Sequence, residues 1–185
     1  MKKLAIFDMD GTLFDTNEVN YFAYSKALEE LGYYIDYDYY CNYCNGKHYK
    51  VFLPIVIGDD EKLIDTVHKR KKELYSEYLN KAKVNTHLFD IINKLIDNYY
   101  IALVTTASKK NTIEILKYYK KTECFDLILT HDDIEKVKPN PEGFIKAIEF
   151  FNVKEEDTII FEDSDIGIEA ALKTGATVFK IERFN

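Results

Sequence analysis

Short apolar runs that alternate with helical patterns constrain the fold of this chain more than any other feature. Each run is bounded by turn residues and is rich in Ile, Val and Phe, as buried strands are. Between the later runs, apolar residues recur at helical spacing, as in NTIEILKYYK and PEGFIKAIEFF. This alternation predicts a parallel sheet with helices on both faces. The five predicted strands are residues 4–7, 101–104, 127–129, 158–161 and 176–180.

The long stretch between the first and second predicted strands breaks this alternation. It contains no convincing strand and carries helical patterns instead. We therefore expect residues 1–14 and 82–185 to form an α/β core, and residues 15–81 to form a helical domain inserted after the first strand. The predicted helices of this stretch are residues 17–31, 36–57 with an interruption at Pro54, 60–81 and 87–98.

Chemically active side chains follow the predicted strands, at the point where each strand ends. DMDGT follows the first strand, TTAS the second and EDSD the fourth, while VKPNP lies between the third strand and its helix. The carboxyl ends of parallel strands share one edge of a sheet, and ligands bind outside that edge. The sequence therefore predicts a site of acids, hydroxyls and one lysine at this edge.

The acidic residues of this edge raise a physical question. Asp8 and Asp10 are separated by one residue, and neighbouring carboxylates raise the free energy of ionising each other. A divalent cation would remove that cost, and oxygen ligands suit Mg2+, which also accepts a substrate phosphate. Taken alone, Glu162 and Asp163 are better explained as acidic residues at the start of a helix. Together with DMDGT, they favour metal binding.

These stretches, in this order, resemble the four motifs of the haloacid dehalogenase-like hydrolase superfamily. The resemblance covers nearly the whole chain and is greatest to the helical-cap subgroup, with its phosphoglycolate phosphatase and β-phosphoglucomutase types. It implies an α/β fold: a Rossmann-like core with a five-stranded parallel sheet flanked by helices, and an inserted α-helical cap. The matching residues are Asp8-Met9-Asp10-Gly11-Thr12, Thr105 after IALV, Lys138 in KPNP, and Glu162-Asp163 in FEDSDIGIEAA.

The resemblance implies a set of Mg2+ ligands. Asp8 would give a carboxylate oxygen and Asp10 its backbone carbonyl oxygen. Asp163 would give a second carboxylate, and Glu162 a direct or an outer contact.

It also implies a phosphoryl-transfer chemistry. Asp8 would attack phosphorus and form an aspartyl-phosphate. Asp10 would protonate the leaving group and later accept a proton from water. Thr105 would donate a hydrogen bond to a phosphoryl oxygen, and Lys138 would balance charge on the phosphoryl group and on Asp8. A strand threonine and a lysine before a proline are common for other reasons, so both roles depend on the resemblance.

Weaker candidates for phosphate binding lie beside these residues. The Gly11 and Thr12 amides and Thr106 are candidates in the core, and Gly11 is needed in any case for the turn after Asp10. In the predicted cap, Lys47 and His48 are candidates for substrate contacts. A plain surface loop explains Lys47 and His48 equally well.

The tyrosine-rich cap segment near Cys44 has two explanations. Tyr33, Tyr37, Tyr40 and Cys44 recur at helical spacing, so a packed face of the cap is the better interpretation, and an aromatic platform over a sugar or base is the alternative. Cys41 and Cys44 form a CxxC, but zinc would need a further ligand pair, so ordinary thiols are favoured.

Charge and hydropathy restrict the partners. The net charge of −7, from 25 basic and 32 acidic residues, argues against nonspecific nucleic-acid binding and against binding to an anionic membrane. The apolar stretch before Asp8 is too short for a signal peptide, and no segment is long enough to span a membrane. We expect a cytoplasmic monomer.

The most strongly favoured function is a Mg2+-dependent phosphatase that acts on a small phosphorylated metabolite, such as a sugar phosphate or nucleotide. A phosphosugar mutase of the β-phosphoglucomutase type is the alternative. A mutase usually grips a second phosphate with a cap-loop arginine, whereas the only cap arginine here is Arg70. A dehalogenase would not need Asp10 or the Glu162-Asp163 pair. A non-catalytic binding protein would tolerate loss of the motif residues, and none is lost.

Overall fold

The centre of the fold is a sheet of five parallel strands. In the computed structural model, which describes residues 2–182 and 184, this sheet confirms the predicted α/β fold class. The strands differ from the predicted runs by at most two residues at an end. They are β1 (Lys3–Phe7), β4 (Tyr99–Val104), β5 (Leu127–Leu129), β6 (Thr158–Glu162) and β7 (Thr177–Lys180).

The strand order places β1 in the middle of the sheet. The order is β5-β4-β1-β6-β7, so β1 pairs with both β4 and β6. In this register Phe7 lies beside Leu103 of β4 and Phe161 of β6. The Phe7 and Phe161 rings also stack at 4.5 Å between centroids. The residues that follow these three strands therefore start at one level of the sheet edge.

A second, two-stranded sheet was not predicted from the sequence. β2 (Phe14–Asp15) and β3 (Lys83–Val84) pair in antiparallel fashion. Two residues are too few to show the alternation of apolar and polar residues that reveals a strand. The chain passes through these two strands on leaving and re-entering the core.

The chain divides into two compact units. The first comprises Met1–Asp15 and Lys83–Asn185, and the second comprises Thr16–Ala82. Both boundaries between the units lie one residue later than the boundaries expected from the sequence. The helices are α1 (Asn17–Glu29), α2 (Tyr37–Tyr39), α3 (Tyr49–Ile57), α4 (Glu61–Leu74), α5 (Thr86–Leu95), α6 (Lys109–Tyr118), α7 (Glu142–Phe151) and α8 (Asp165–Leu172).

The core of the first unit joins the sheet to α7 and α8. Leu4 and Ile6 of β1 are fully buried in a cluster with Phe144 of α7 and Ala170 of α8. Burial of apolar side chains of this size contributes about 1.5–3 kcal/mol each. This packing fixes β1, and with it the position of the residues that follow β1.

The second unit has its own apolar core. Tyr40 and Cys44, two residues of the tyrosine-rich segment, are buried in it at 3% and 1% exposure. Tyr33 is partly buried against the same cluster, whereas Tyr37 is 39% exposed. Packing rather than an open aromatic platform therefore accounts for Tyr40 and Cys44. Cys41, Cys44 and Cys124 are free thiols.

The helix predicted over residues 36–57 was wrong as a single element. The structure has α2, then a π-helix (Tyr40–Cys44), and then α3 after a turn in which Gly46 adopts a φ of 75°. His48 starts α3 by accepting a hydrogen bond from the Lys50 N–H at 3.3 Å. Pro54 lies inside α3, so the expected interruption there was also wrong. The first helical segment ends at Asn45, whose ψ of 138° is not helical, and not at the proline.

The helix predicted over residues 60–81 changes type after Leu74. α4 starts at the Asp60 cap, and Tyr75–Lys81 continues as a 3-10 helix. Within residues 2–182 and 184, no helix combines the length and apolar character that crossing a bilayer requires.

Candidate active site

A tight loop follows β1 and carries the first acidic residues of the site. The backbone N–H groups of Leu13 and Phe14 both donate to the Met9 carbonyl oxygen at 2.9 Å. Gly11 has a φ of 91°, a conformation that glycine adopts at little cost, and its N–H donates to the Phe14 carbonyl at 2.8 Å. The Gly11 amide thus already has a hydrogen-bond partner inside the loop, and its contact with phosphate stays a prediction.

Gly11 is also required by the neighbouring Asp163. A Cβ at Gly11 would overlap the Asp163 Oδ2 atom. The carboxylate that follows β6 therefore lies directly against the loop that follows β1. Two residues more than 150 positions apart in the sequence are in van der Waals contact at the sheet edge.

Lys138 connects two buried carboxylates. Its Nζ lies 2.5 Å from Asp8 Oδ1 and 2.8 Å from Glu162 Oε1. Its side chain is 7% exposed, and those of Asp8 and Glu162 are 8% and 1% exposed. The buried ammonium lowers the cost of burying both carboxylates, because it contacts each of them in a low-dielectric site.

Glu162 is held by the first turn of α8. Its Oε2 accepts hydrogen bonds from the Ser164 N–H at 2.7 Å and from the Ser164 hydroxyl at 3.1 Å. A Cβ at Gly167 would overlap the Glu162 carboxylate. Since Lys138 uses the other oxygen, both oxygens of Glu162 already have protein donors.

Asp163 lies beside Thr12 of the loop after β1. The Thr12 hydroxyl, which is fully buried, donates to Asp163 Oδ1 at 2.9 Å. Burial raises the pKa of the Asp163 carboxyl to about 6, and the Thr12 hydrogen bond limits this shift. The carboxylate form of Asp163 therefore gains from any further positive charge nearby.

The charges of Asp8 and Lys138 depend on each other. Burial raises the pKa of Asp8 well above its usual value; Lys138 opposes this shift and the Glu162 carboxylate adds to it. Burial alone would lower the pKa of Lys138, but Asp8 and Glu162 outweigh it and raise the pKa. The charged form of Lys138 is therefore favoured, and one lysine does not fully compensate the acidic groups around it.

The acidic cluster fits a divalent cation. Asp8, Glu162 and Asp163 each offer a carboxylate oxygen, and these oxygens lie within 4.8 Å of one another. Lys138 contacts Asp8 through Oδ1, which leaves Oδ2 as the carboxylate oxygen on its other side. The donor set consists of oxygen atoms only, which suits Mg2+. The raised pKa values of Asp8 and Asp163 also indicate carboxylates that a nearby cation would stabilise.

Thr105 and Thr106 follow β4 at the same edge. The Thr105 side chain is buried, and its Oγ1 accepts a hydrogen bond from the Ala107 N–H at 3.1 Å. Its hydroxyl hydrogen can therefore still be donated. Thr106 is exposed. Lys138 Nζ lies 3.4 Å from the Val104 carbonyl oxygen, which places the lysine beside the end of β4.

The loop that carries Lys138 is fastened by Glu142 at the start of α7. Glu142 accepts hydrogen bonds from the Glu135 and Lys136 N–H groups, both at 2.9 Å, and pairs with Lys146 at 2.7 Å. The backbone bond from Glu135 is the largest of the effects that lower the pKa of Glu142 to about 2. The hydrogen bonds that Glu142 accepts therefore help to hold Lys138 in position beside Asp8 and Glu162.

Lys47 and His48 belong to the second unit. Lys47 is exposed, in the turn before α3. His48 uses Nδ1 to cap α3, and its ring lies 4.5 Å from the Tyr49 ring. His48 thus has a clear local role in starting a helix.

Sequence reasoning missed Ser164 and Gly167 as parts of the site. Ser164 has the signal of a helix cap, since its hydroxyl accepts the Gly167 N–H at 3.1 Å. A glycine inside a helix costs about 1 kcal/mol relative to alanine, which signals a close approach. The partner in that approach, Glu162, could not be named without the structure.

Comparison with known proteins agrees with this geometry. The sequence pattern of the haloacid dehalogenase-like hydrolase family matches residues 5–181 of the chain. A phosphorylated carbohydrates phosphatase of Thermotoga maritima is 32% identical over 184 residues, covering 92% of this chain and 80% of that protein. Pyrophosphatase PpaX of Bacillus mycoides is 29% identical over 185 residues, covering 96% of this chain and 84% of that protein.

Solved structures share the fold along the entire chain. CbbY from Rhodobacter sphaeroides, crystallised with phosphate, is 25% identical with a TM-score of 0.84, covering 100% of this chain and 88% of that one. A mutant of the same protein was crystallised with xylulose-(1,5)bisphosphate.

Proposed function

This chain belongs to the haloacid dehalogenase-like hydrolase family and is an enzyme of the phosphatase type, and we propose that it is a Mg2+-dependent phosphatase of small phosphorylated metabolites. The reaction would pass through an aspartyl-phosphate on Asp8. The substrate class would be phosphate monoesters, such as sugar phosphates or nucleotides.

One observation carries this proposal: Lys138 joins Asp8 to Glu162 in a buried site that Asp163 adjoins. A structural ion pair would need one carboxylate for one lysine. This site instead gathers three carboxylates around one lysine. The excess of negative charge at a ligand-binding edge supports a site built for a cation and a phosphoryl group.

The acidic cluster supports a division of roles toward Mg2+. Asp8 and Asp163 would hold the ion with their carboxylates, and Asp10 would add its backbone carbonyl. Glu162, whose oxygens already accept protein donors, would act from the outer shell and orient Lys138. The bound ion would neutralise phosphoryl charge and keep Asp8 ionised.

In the first step Asp8 would attack phosphorus. A bond forms between a carboxylate oxygen and phosphorus, and the bond from phosphorus to the ester oxygen breaks. Asp10 would give its proton to the departing oxygen. The Lys138 ammonium and the Thr105 hydroxyl would stabilise the charge on the phosphoryl oxygens, with the Thr12 amide and Thr106 as further candidates.

In the second step water would attack the aspartyl-phosphate. Asp10, now a carboxylate, would take the proton from that water. The bond between phosphorus and the Asp8 oxygen breaks, which releases inorganic phosphate and restores Asp8. Asp10 would then be protonated again and ready for another turnover.

The second unit, Thr16–Ala82, would act as the cap that selects substrate. Lys47 and His48 would contribute contacts to the group that carries the phosphate. Arg70 is engaged locally, with Nε 2.7 Å from Glu30 Oε2 and Nη1 3.1 Å from Glu73 Oε2. This engagement supports a phosphatase over a mutase, because the cap arginine is not held ready for a second phosphate.

A substrate panel with matched variants tests the proposal. Release of inorganic phosphate from sugar phosphates, nucleotides and p-nitrophenyl phosphate should require Mg2+ and stop in excess chelator. Asp8→Asn should abolish release while the protein stays folded. Asp90→Asn, at an exposed carboxylate on α5, makes the same chemical change away from the site and should leave turnover intact.

Three outcomes would contradict the proposal. Turnover that survives in excess chelator would reject the metal role. Turnover in Asp8→Asn would reject the nucleophile. Conversion of a hexose phosphate to its isomer, dependent on a bisphosphate primer and without sustained phosphate release, would show a mutase instead.

A further inference from the structure

Asn85 joins the two backbone segments that meet at the edge of the core. It lies between β3 and α5 and is 4% exposed. Its side-chain Nδ2 donates to the Thr12 carbonyl oxygen at 3.1 Å, and its backbone N–H donates to the Leu13 carbonyl oxygen at 2.9 Å. A single residue after the helical insert thus holds the loop that precedes the insert.

The other end of the Asn85 side chain is fixed by α5. Its Oδ1 accepts the Leu88 N–H at 3.3 Å and caps the helix. Leu88 and Phe89, at 4% and 3% exposure, bury that helix end, and Phe89 packs edge-on against Phe14 at 5.6 Å between centroids. The carboxamide therefore cannot rotate without breaking a buried hydrogen bond.

The loop held by Asn85 carries the groups proposed to react. The Thr12 hydroxyl donates to the Asp163 carboxylate, and the Thr12 carbonyl oxygen accepts the hydrogen bond from Asn85. Asp10 lies two residues earlier, at the bridge to Phe14. A continuous chain of hydrogen bonds runs from α5 through Asn85 and Thr12 to the Asp163 carboxylate.

We infer that Asn85 is a positioning residue for the reaction: its carboxamide sets the loop that orients Asp10 and aligns Asp163 through Thr12. The inference rests on the proposed phosphatase function for its catalytic consequence. Its structural consequence, a loop held by Asn85, is measurable without any turnover.

Serine at position 85 separates the capping role from the positioning role. Serine caps a helix about as well as asparagine, so Asn85→Ser should keep α5 and the fold. It is too short to reach the Thr12 carbonyl. Asp60→Ser makes the matched change at the cap of α4, where the Asp60 carboxylate accepts the Lys62 and Leu63 N–H groups at 3.0 and 3.2 Å.

Kinetics and hydrogen exchange of the Mg2+-loaded protein provide the test. With p-nitrophenyl phosphate, Asn85→Ser should lower kcat at least about tenfold with little change in KM, and should raise the Mg2+ concentration for half-activation. The Leu13 and Phe14 amides should exchange faster with and without Mg2+. Asp60→Ser should match the wild type in all of these. Asn85→Asp, which caps α5 but cannot donate to Thr12, should behave like Asn85→Ser.

The inference fails if Asn85→Ser and Asn85→Asp keep wild-type kcat and wild-type exchange of the Leu13 and Phe14 amides. It also fails if kcat falls only in proportion to the folded fraction. If the wild type turns over no phosphate ester, the proposed function is rejected, and the exchange measurement decides the role of Asn85 alone.

Discussion

Lys138 Nζ lies 2.8 Å from Glu162 Oε1, and both side chains are almost fully buried, at 7% and 1% exposure. A complete buried ion pair of this kind changes the free energy of unfolding little. Removal of one partner lowers that free energy strongly, because it leaves an unpaired buried charge. The pair fixes the lysine that also contacts Asp8. Stability and chemistry at this edge therefore depend on the same atoms.

Lys138→Met should destabilise the protein by about 3–5 kcal/mol and lower turnover at least about a hundredfold, because it leaves two buried carboxylates without a cation. Urea denaturation and phosphate release measure the two effects. The loss of stability should shrink as the pH falls, since the pKa of Asp8 is raised by burial and its protonation removes unpaired charge. Lys154→Met removes a lysine from a pair that is 75% and 72% exposed, and should cost at most about 0.5 kcal/mol. Equal losses in both variants would contradict the buried-pair account.

Asp10→Asn should separate the two proton transfers. With p-nitrophenyl phosphate, whose leaving group needs no proton, Asp8 should still be phosphorylated and give a burst of p-nitrophenol equal to the enzyme. Steady turnover should then be about a hundredfold slower or more, because no base activates water. With an alkyl phosphate no burst should occur. Rapid-quench kinetics measures this, and a full-rate steady state would remove Asp10 from the mechanism.

Gly167→Ala should lower turnover by about a hundredfold, because its Cβ would displace the Glu162 carboxylate and with it Lys138. Helix propensity alone predicts the opposite sign for stability, a gain of up to about 1 kcal/mol. Gly32→Ala is the control: its φ is 81° but no atom lies within 4 Å of the added Cβ. It should lose stability and keep kcat. Wild-type turnover in Gly167→Ala would show that the Glu162 position is not critical.

His68 should make stability depend on pH. Its Nδ1 shares a hydrogen bond of 2.9 Å with the Tyr24 hydroxyl, and its ring stacks on the Tyr49 ring at 3.7 Å between centroids. Burial, followed by Lys72 and Lys71, lowers its pKa to about 4, against about 6.5 in the unfolded chain. Between these values the unfolded state binds more protons, so stability is full above about pH 6.5 and falls as the pH drops toward 4.

Urea denaturation from pH 7 to 4 checks the His68 prediction. His68→Gln should flatten the decline relative to the wild type, because glutamine does not titrate. His87→Gln, exposed on α5, is the matched control and should follow the wild-type curve. An unchanged slope in His68→Gln would mean that other groups cause the decline.

The sequence by itself determined the parallel sheet and most of the residues at its active edge. A parallel sheet that is buried on both faces requires strands made of continuous apolar residues, and such runs can be recognised in the amino-acid sequence. DMDGT, Thr105 and Glu162-Asp163 directly follow strands, and Lys138 lies between a strand and its helix. The carboxyl ends of parallel strands share one edge, so the sequence alone predicts that these residues meet there.

Only the tertiary structure decided which atoms meet. Two contacts join segments 70 or more residues apart: Gly11 faces Asp163, and Asn85 binds the Thr12 carbonyl oxygen. A third contact, between Gly167 and Glu162, depends on the exact geometry of the first turn of one helix. The two-residue strands β2 and β3 and the break near Gly46 likewise depend on pairing and backbone angles. Sequence patterns report local periodicity and burial, whereas hydrogen-bond partners are set by how distant segments pack.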